Sequence, residues 1–149
     1  MMSAAPYHNM LAAMRAKLAD GRYEEVLEIG RDEIERGCGS SDLLLLMATA
    51  GQLSDGVSCS LEDIRAWLEQ ASQNSPDNLE AWLELGNFLD AVADQPQLAA
   101  SAFQKALERS VAALEAALEG LDSTSSTHDE GRQAHIDDLR RRAQALLKA

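Results

Sequence analysis

Positive charge is what this sequence has little of: 13 Lys and Arg stand against 25 Asp and Glu, for a formal net charge of −12. That balance excludes nucleic acid as an expected partner, because binding it means neutralising phosphates with Lys and Arg. Anionic membrane surfaces are disfavoured for the same reason. The field would attract basic or apolar protein surfaces, although acidity also serves solubility alone. Cysteine is scarce too. Cys38 and Cys59 have no close spacing, and the expectation is two reduced thiols in a cytoplasmic protein, with one disulfide open on paper. A long apolar run is missing. The longest, residues 43–48 (Leu-Leu-Leu-Leu-Met-Ala), falls far short of the about 20 residues that span a bilayer. The opening Met-Met-Ser-Ala-Ala-Pro lacks a basic region leading into an apolar stretch, so no signal peptide is expected.

Aromatics make up 4% of the chain, hydrophobic residues 46% and charged residues 26%. Ala and Leu dominate, and β-branched residues are few, so the composition leans to an all-α fold. Residues 1–149 are long enough to bury a sizeable core as one helical domain.

Helical periodicity appears in successive segments divided by turn residues. The first covers about residues 9–19, with Met10, Leu11, Met14 and Leu18 on one stripe, and Asp20-Gly21 stops it. The second begins near Tyr23, carries Val26, Leu27, Ile29 and Ile34, and ends at Gly37, where a left-handed residue is wanted. Ser40, Ser41 or Asp42 caps the third, residues 43–53, which is apolar almost all round and therefore expected at the centre of the core. Ser60 and the acidic Glu62 and Asp63 open the fourth, whose apolar face is Leu61, Ile64, Trp67, Leu68 and Ala71. In the fifth, Leu79, Trp82, Leu83, Leu85, Phe88, Leu89 and Val92 recur, and Asp94-Gln95-Pro96 is expected to end it. The sixth starts at Leu98 and keeps its stripe to Leu121, about 24 residues or roughly 36 Å. A Ser/Thr-rich link then leads to a last helix over about residues 132–148. Its Ile136, Leu139, Ala143 and Leu146 predict antiparallel packing on the sixth.

Ala81-Trp82-Leu83-Glu84-Leu85-Gly86-Asn87-Phe88-Leu89 resembles the first helix of a tetratricopeptide repeat, and Ala99, Phe103 and Ala106 follow where its second helix puts Ala, an aromatic and Ala, with one inserted residue. Large Trp82 fills the space between helices, Gly86 lets backbones approach, and the small Ala99 and Ala106 sit at the crossing. Ile64, Leu68, Ala71 and Pro76 match the preceding repeat, with about four extra residues between 54 and 59. The turn from Asp20 to Val26 resembles a still earlier, degenerate repeat, in which Gly30 stands where an aromatic or Leu is usual and Met10 where Trp is. Only Gly86 is expected at a tight crossing. The resemblance covers roughly residues 10–107 and implies antiparallel helix pairs stacked as a short superhelix. Residues 108–149 would add a long helix extension, the polar link and a C-terminal capping helix that makes a helical hairpin. A generic helical bundle is the alternative.

Catalytic constellations are missing. The residues three before His8, His128 and His135 are Ala5, Ser125 and Arg132, so the Glu-x-x-His pairs of a di-iron bundle are absent. His128, His135 and Asp138 read as solvated side chains and not as metal ligands. There is no Cys-x-x-Cys, Gly-x-Ser-x-Gly or His-Glu-x-x-His. Gly37-Cys38-Gly39 is a helix stop, not a phosphate loop. Cys38 has Arg36 nearby but no partnered histidine, and reads as a bystander thiol. Glu24, Glu25, Glu28, Asp32 and Glu35 interleave with Arg22, Arg31 and Arg36 as a solvated face. No catalytic residue, cofactor or metal site is expected, and the chain reads as a non-enzyme.

The repeat resemblance implies a surface lined by first helices. With Trp82 setting the register, the partner-binding residues are Glu80, Leu83, Asn87 and Asp90, and on the previous repeat Asp42, Leu45, Thr49 and Gln52. Some members of the family clamp an acidic C-terminal tail with Lys and Asn. Here Asn87 matches, but Leu83 stands where Lys should be. Residues 37–104 hold ten acidic side chains against the single base Arg65, which argues against such tails. The expected function is an adaptor or chaperone holding a basic or amphipathic segment of another protein. One alternative is an acidic immunity or inhibitor protein that blocks a basic toxin or enzyme surface. Another is a structural subunit forming a homodimer through its C-terminal helices.

Overall fold

Ser40, Ser60 and Asn78 cap the starts of three helices, and Gly21 and Gly37 in the left-handed region stop two. The computed structural model describes residues 4–56, 58–123 and 130–148, and among these it contains seven helices and no strand. The protein is all-α. His128 and most of the Ser/Thr-rich link lie outside the described residues.

Helix α1 (Ala4–Ala19) starts earlier than the apolar stripe suggested. Pro6 falls in its first turn, where a missing N–H costs nothing because that donor has no intrahelical partner. Gly21 (φ 73°) ends it, with Arg22 N–H donating to the Lys17 carbonyl and Gly21 N–H to that of Leu18. Helix α2 (Tyr23–Glu35) ends the same way at Gly37 (φ 86°), with Cys38 N–H on Glu33 and Gly37 N–H on Ile34. This paired closure satisfies carbonyls that a helix end would otherwise leave orphaned.

Helix α3 (Ser41–Leu53) is capped by Ser40, whose Oγ accepts from Leu43 N–H at 3.2 Å. Helix α4 (Leu61–Asn74) has a full capping box. Asp63 N–H donates to Ser60 Oγ at 3.1 Å, and Ser60 N–H to Asp63 Oδ2 at 2.8 Å. Asn78 caps helix α5 (Leu79–Ala91), accepting from the Glu80 and Ala81 amides. Pro96 does not merely end the preceding segment. It is the first residue of helix α6 (Pro96–Ser123), where its fixed φ suits a helix start. Helix α7 (Glu130–Lys148) completes the described chain.

Two compact units divide the chain at Ala106 and Leu107. Within the first, α1 packs on α2 and α3, α3 on α2, α4 and α5, and α4 on α5. The interior forms two clusters. Leu11, Met14, Val26, Leu27, Leu43, Met47 and Ala50 make one, and Leu44, Leu45, Ala48, Ile64, Leu68, Ala71, Leu85, Phe88 and Leu89 with Ala99 and Ala102 make the other. α3 supplies both, as its all-round apolarity predicts. Trp82 is half-buried against the second cluster, and its indole N–H donates to the Pro76 carbonyl at 2.9 Å, tying α5 to the turn before it.

Several positions depart from the expected stripes. Leu61 is 60% exposed and Ile34 38%, whereas Glu33 is buried beside Ile34 and pairs with Arg36. Gly30 also differs. A Cβ there would run into the fully buried Met47 thioether, while on Gly86 it would stand 2.6 Å from Phe103 Cε1. Both glycines are close-approach points, not Gly86 alone.

Gly→Ala inside an open helix gains about 0.5–1 kcal/mol, but overpacking a closed site costs about 1–3 kcal/mol. Gly30→Ala and Gly86→Ala should therefore lower the denaturation midpoint. Gly120→Ala, with nothing within 4 Å of its would-be Cβ, should leave it unchanged or raise it. Ser60→Ala should cost about 1 kcal/mol at neutral pH through the lost cap. The Ser60 amide and hydroxyl hold the Asp63 carboxyl below the usual aspartate range, so this support exists above the unfolded pKa and disappears as pH falls through the folded one. Melting wild type and Ser60→Ala across an acid series should show the gap narrowing without closing, because the residue-60 amide remains in both and the Asp63 N–H to Ser60 Oγ bond does not titrate.

Candidate functional site

The odd-numbered helices of the first unit meet at a depression of about 230 Å³, lined by Arg15 and Leu18 of α1, Asp42, Leu45, Leu46 and Thr49 of α3, and Glu80 of α5. Its floor follows from helical spacing. Asp42, Leu45 and Thr49 stand three and four residues apart, so they share one face of α3. Leu45 is buried while Leu46 and Thr49 are half-buried. Thr49 Oγ1 donates to the Leu45 carbonyl at 2.9 Å, which leaves its lone pairs as acceptors towards the depression.

The rim is charged. Asp42 and Glu80 supply carboxylates, and Arg15 Nη2 lies 4.0 Å from Asp42 Oδ2 with both side chains about half exposed. A pair at that distance in solvent contributes little to stability, so Arg15 offsets the negative field without closing the site. Of the expected partner-binding residues, Asp42, Leu45, Thr49 and Glu80 come together here. Gln52, Leu83, Asn87 and Asp90 do not line this depression. They are exposed, with Leu83, Asn87 and Asp90 following Glu80 at helical spacing along the outer face of α5.

Arg15, Leu18 and Leu46 escaped the sequence reading, the first two because the first helix pair was treated as too degenerate to carry a register. The signal was there. Thr49 lies five residues after Leu44 and Asn87 five after Trp82; Arg15 lies five after Met10, the residue standing in for Trp.

Other hollows flank the first unit. A larger one of about 490 Å³ is lined by Gly21, Tyr23, Glu24, Leu53, Ser54, Asp55 and Ser58. Its carboxylates, Glu24 and Asp55, have no histidine, thiol or cation among the lining residues. An apolar furrow of about 270 Å³ runs over Trp82, Leu85, Leu89, Leu98 and Ala102 between Glu69 and Lys105. Among the described residues, no three His, Cys, Asp or Glu side chains converge to hold a metal ion. No helix among them is long and apolar enough to cross a membrane.

Both cysteines are free and half-buried. Arg36 is engaged by Glu33, and Arg31 donates to the Ser58 carbonyl. Burial pushes the Cys59 thiol above its ordinary pKa, against a smaller opposing contribution from a hydrogen bond with Ser54. Its thiolate fraction near neutral pH is therefore small. Glu25 is held below the usual carboxylate range by hydrogen bonds from Lys17 and Arg22. That is an exposed ion-pair triad, not an activated acid.

No protein-family model matches the chain, and no curated protein is similar to it at a significant level.

Thiol labelling gives a direct check on the site chemistry. Cys59, measured in a Cys38→Ser background, should react with an aromatic disulfide more slowly in the native protein than in urea. The gap should narrow as pH rises through the native pKa.

Proposed function

We propose that this protein is a non-catalytic interaction module, an adaptor or chaperone that holds a basic or amphipathic segment of another protein against the α1–α3–α5 face. The observation that carries this reading is the convergence of Asp42, Leu45, Thr49 and Glu80 on one depression. These residues were chosen by the register of a tetratricopeptide-like repeat, and their meeting supports that kinship too. An apolar floor with carboxylates on its rim suits the apolar face of a helix whose edges carry Lys or Arg. Such a rim acts mainly through association rate and salt dependence, whereas the buried floor acts through dissociation. Two free thiols suit a reducing, cytoplasmic setting.

A second reading, an acidic inhibitor of a basic toxin or enzyme surface, draws on α2. Glu24, Glu28, Asp32 and Glu35 are all exposed along it, with Arg31 and Arg36 interleaved among them.

Affinity capture from the native cell extract separates the two. With wild type as bait, a basic or amphipathic protein should be retained. The Glu80→Lys/Asp90→Lys bait should lose it, with association slowed by about tenfold or more and its salt dependence flattened. Leu46→Ala should instead speed dissociation. Retention by that double variant together with loss by Glu28→Lys/Asp32→Lys would move the site to the exposed acids of α2 and replace the first reading by the second.

A further inference from the structure

Apart from Arg15, the polar side chains of the α1–α3–α5 depression can only accept hydrogen bonds. Asp42 and Glu80 line it with carboxylates, which when ionised have no proton to give. Thr49 has committed its hydroxyl proton to the Leu45 carbonyl. Among the described residues neither carboxylate accepts a hydrogen bond. The guanidinium nearest Asp42 is that of Arg15, 4.0 Å away with both side chains 55% exposed, too far for a hydrogen bond. Glu80 has no ion pair among the described residues. The depression therefore offers unused acceptors and asks for a donor.

A metal ion does not meet that demand. Calcium takes about six to eight oxygens, whereas two carboxylates and one hydroxyl stand here over Leu18, Leu45 and Leu46. A leucine floor suits a cation carried on an aliphatic stem, which lies along apolar surface while its charged head reaches the rim. At about 230 Å³ the depression is smaller than the about 300–1,000 Å³ of small-molecule pockets, so it suits one side chain delivered by a larger partner. Lys and Arg are the side chains that donate and never accept.

The placement of the acceptors decides between those two. Asp42 comes from α3 and Glu80 from α5, so the donor group has to serve carboxylates on separate helices. A lysine ammonium is a compact, strongly hydrated point charge. A guanidinium is planar, more weakly hydrated, and spreads five N–H donors around a fork. Arg15 already shows that a guanidinium carried by another helix can approach Asp42. Its loose, solvent-exposed placement makes it a competitor that a better-seated cation displaces.

We propose that this depression is an arginine pocket, taking one arginine side chain of another protein with its stem on Leu18, Leu45 and Leu46 and its guanidinium on Asp42 and Glu80. The inference rests on the groove reading and narrows it, since a lysine or an apolar side chain would satisfy that reading and not this one.

Titrating N-acetyl-arginine amide into the full chain tests it, followed by the methyl resonances of Leu18, Leu45, Leu46 and Thr49. They should shift and saturate with a Kd of about millimolar order, as befits one small group. N-acetyl-citrulline amide keeps the shape but replaces the guanidinium by a neutral urea. It should bind about tenfold more weakly, the usual loss for a charge-assisted hydrogen bond. N-acetyl-lysine amide should also bind more weakly than the arginine amide. Asp42→Asn/Glu80→Gln should weaken the arginine amide by about tenfold or more while the helical circular dichroism persists. Glu24→Gln/Asp55→Asn, in the larger hollow, should leave its Kd unchanged. Arg15→Gln should tighten it by removing the competing cation. Free L-arginine should bind less well than the capped amide, because its carboxylate meets the acidic rim.

Citrulline or lysine amide binding as well as the arginine amide would overturn guanidinium recognition. An unaltered Kd in Asp42→Asn/Glu80→Gln, or weaker binding in Arg15→Gln, would overturn the pocket itself. Free L-arginine binding more tightly than the capped amide would mark an amino-acid site and overturn the protein occupant. A native partner captured by wild type and lost with Glu80→Lys/Asp90→Lys, alongside no binding of the arginine amide, would overturn the arginine pocket and leave the groove reading standing. Amide binding as described with no partner captured would overturn the adaptor reading and leave the chemistry of the pocket standing.

Discussion

The first unit depends on a helix that must be covered on both sides. α3 places Leu43, Met47 and Ala50 in one cluster and Leu44, Leu45 and Ala48 in the other. Each fully buried Leu or Met contributes about 1.5–3 kcal/mol relative to exposure, and no single helix pair can collect that from both faces of one helix. α1 and α2 are needed on one side, α4 and α5 on the other. Cooperativity between neighbouring pairs therefore has a physical seat in α3. Its N-terminus is tied down as well, because Ser40 caps it and contacts the Tyr7 hydroxyl, while Asn78 Nδ2 donates to Ser41 Oγ at 3.0 Å. Residues from the first, third and fifth helices are thus pinned at one end of the unit.

Close approach makes that double coverage feasible. Helices separated by full-sized side chains would leave α3 partly wet. Gly30 against Met47 and Gly86 against Phe103 remove a Cβ where two elements cross, and Gly51 does the same against Cys59 and Ile64. Ala71, Ala81, Ala99 and Ala102 are almost fully buried and keep the second cluster thin. A chain short of aromatics achieves density with small residues and unbranched fillers such as Met, and dense interiors respond to a single added methyl.

How much of this was legible in the sequence can be argued position by position. The central place of α3 was readable because Leu43 to Ala48 leaves no polar face to turn outward. The cap at Ser60 and the stop at Gly37 were readable because each has a local mechanism, while the α3 cap was open among Ser40, Ser41 and Asp42 and falls on Ser40. Glu33 was not. A periodic stripe assigns Ile34 to the core, whereas the chain buries Glu33 instead, with Arg36 pairing one carboxylate oxygen and the other left buried without a hydrogen-bond partner. Gly30 was misread for a related reason. Matched against a repeat pattern it looks like a missing large residue, but Met47 from the facing helix fills the volume, so the space is occupied from the other side. Half of the candidate site was legible, from α3 and the start of α5. The α1 contribution was not, since a register anchored on Trp82 was not carried back to Met10.

The α1–α3–α5 depression lies in residues 1–106, where acids outnumber bases 17 to 7. Attraction of a basic segment to such a field is long-ranged and collapses as the Debye length shrinks, from about 10 Å at 0.1 M salt to about 3 Å at 1 M. Burial of Leu18, Leu45 and Leu46 under a bound segment is strengthened, not weakened, by strongly hydrated salts. Raising sulfate concentration should therefore slow the association of a basic partner at the rim while leaving its dissociation from the apolar floor unaccelerated.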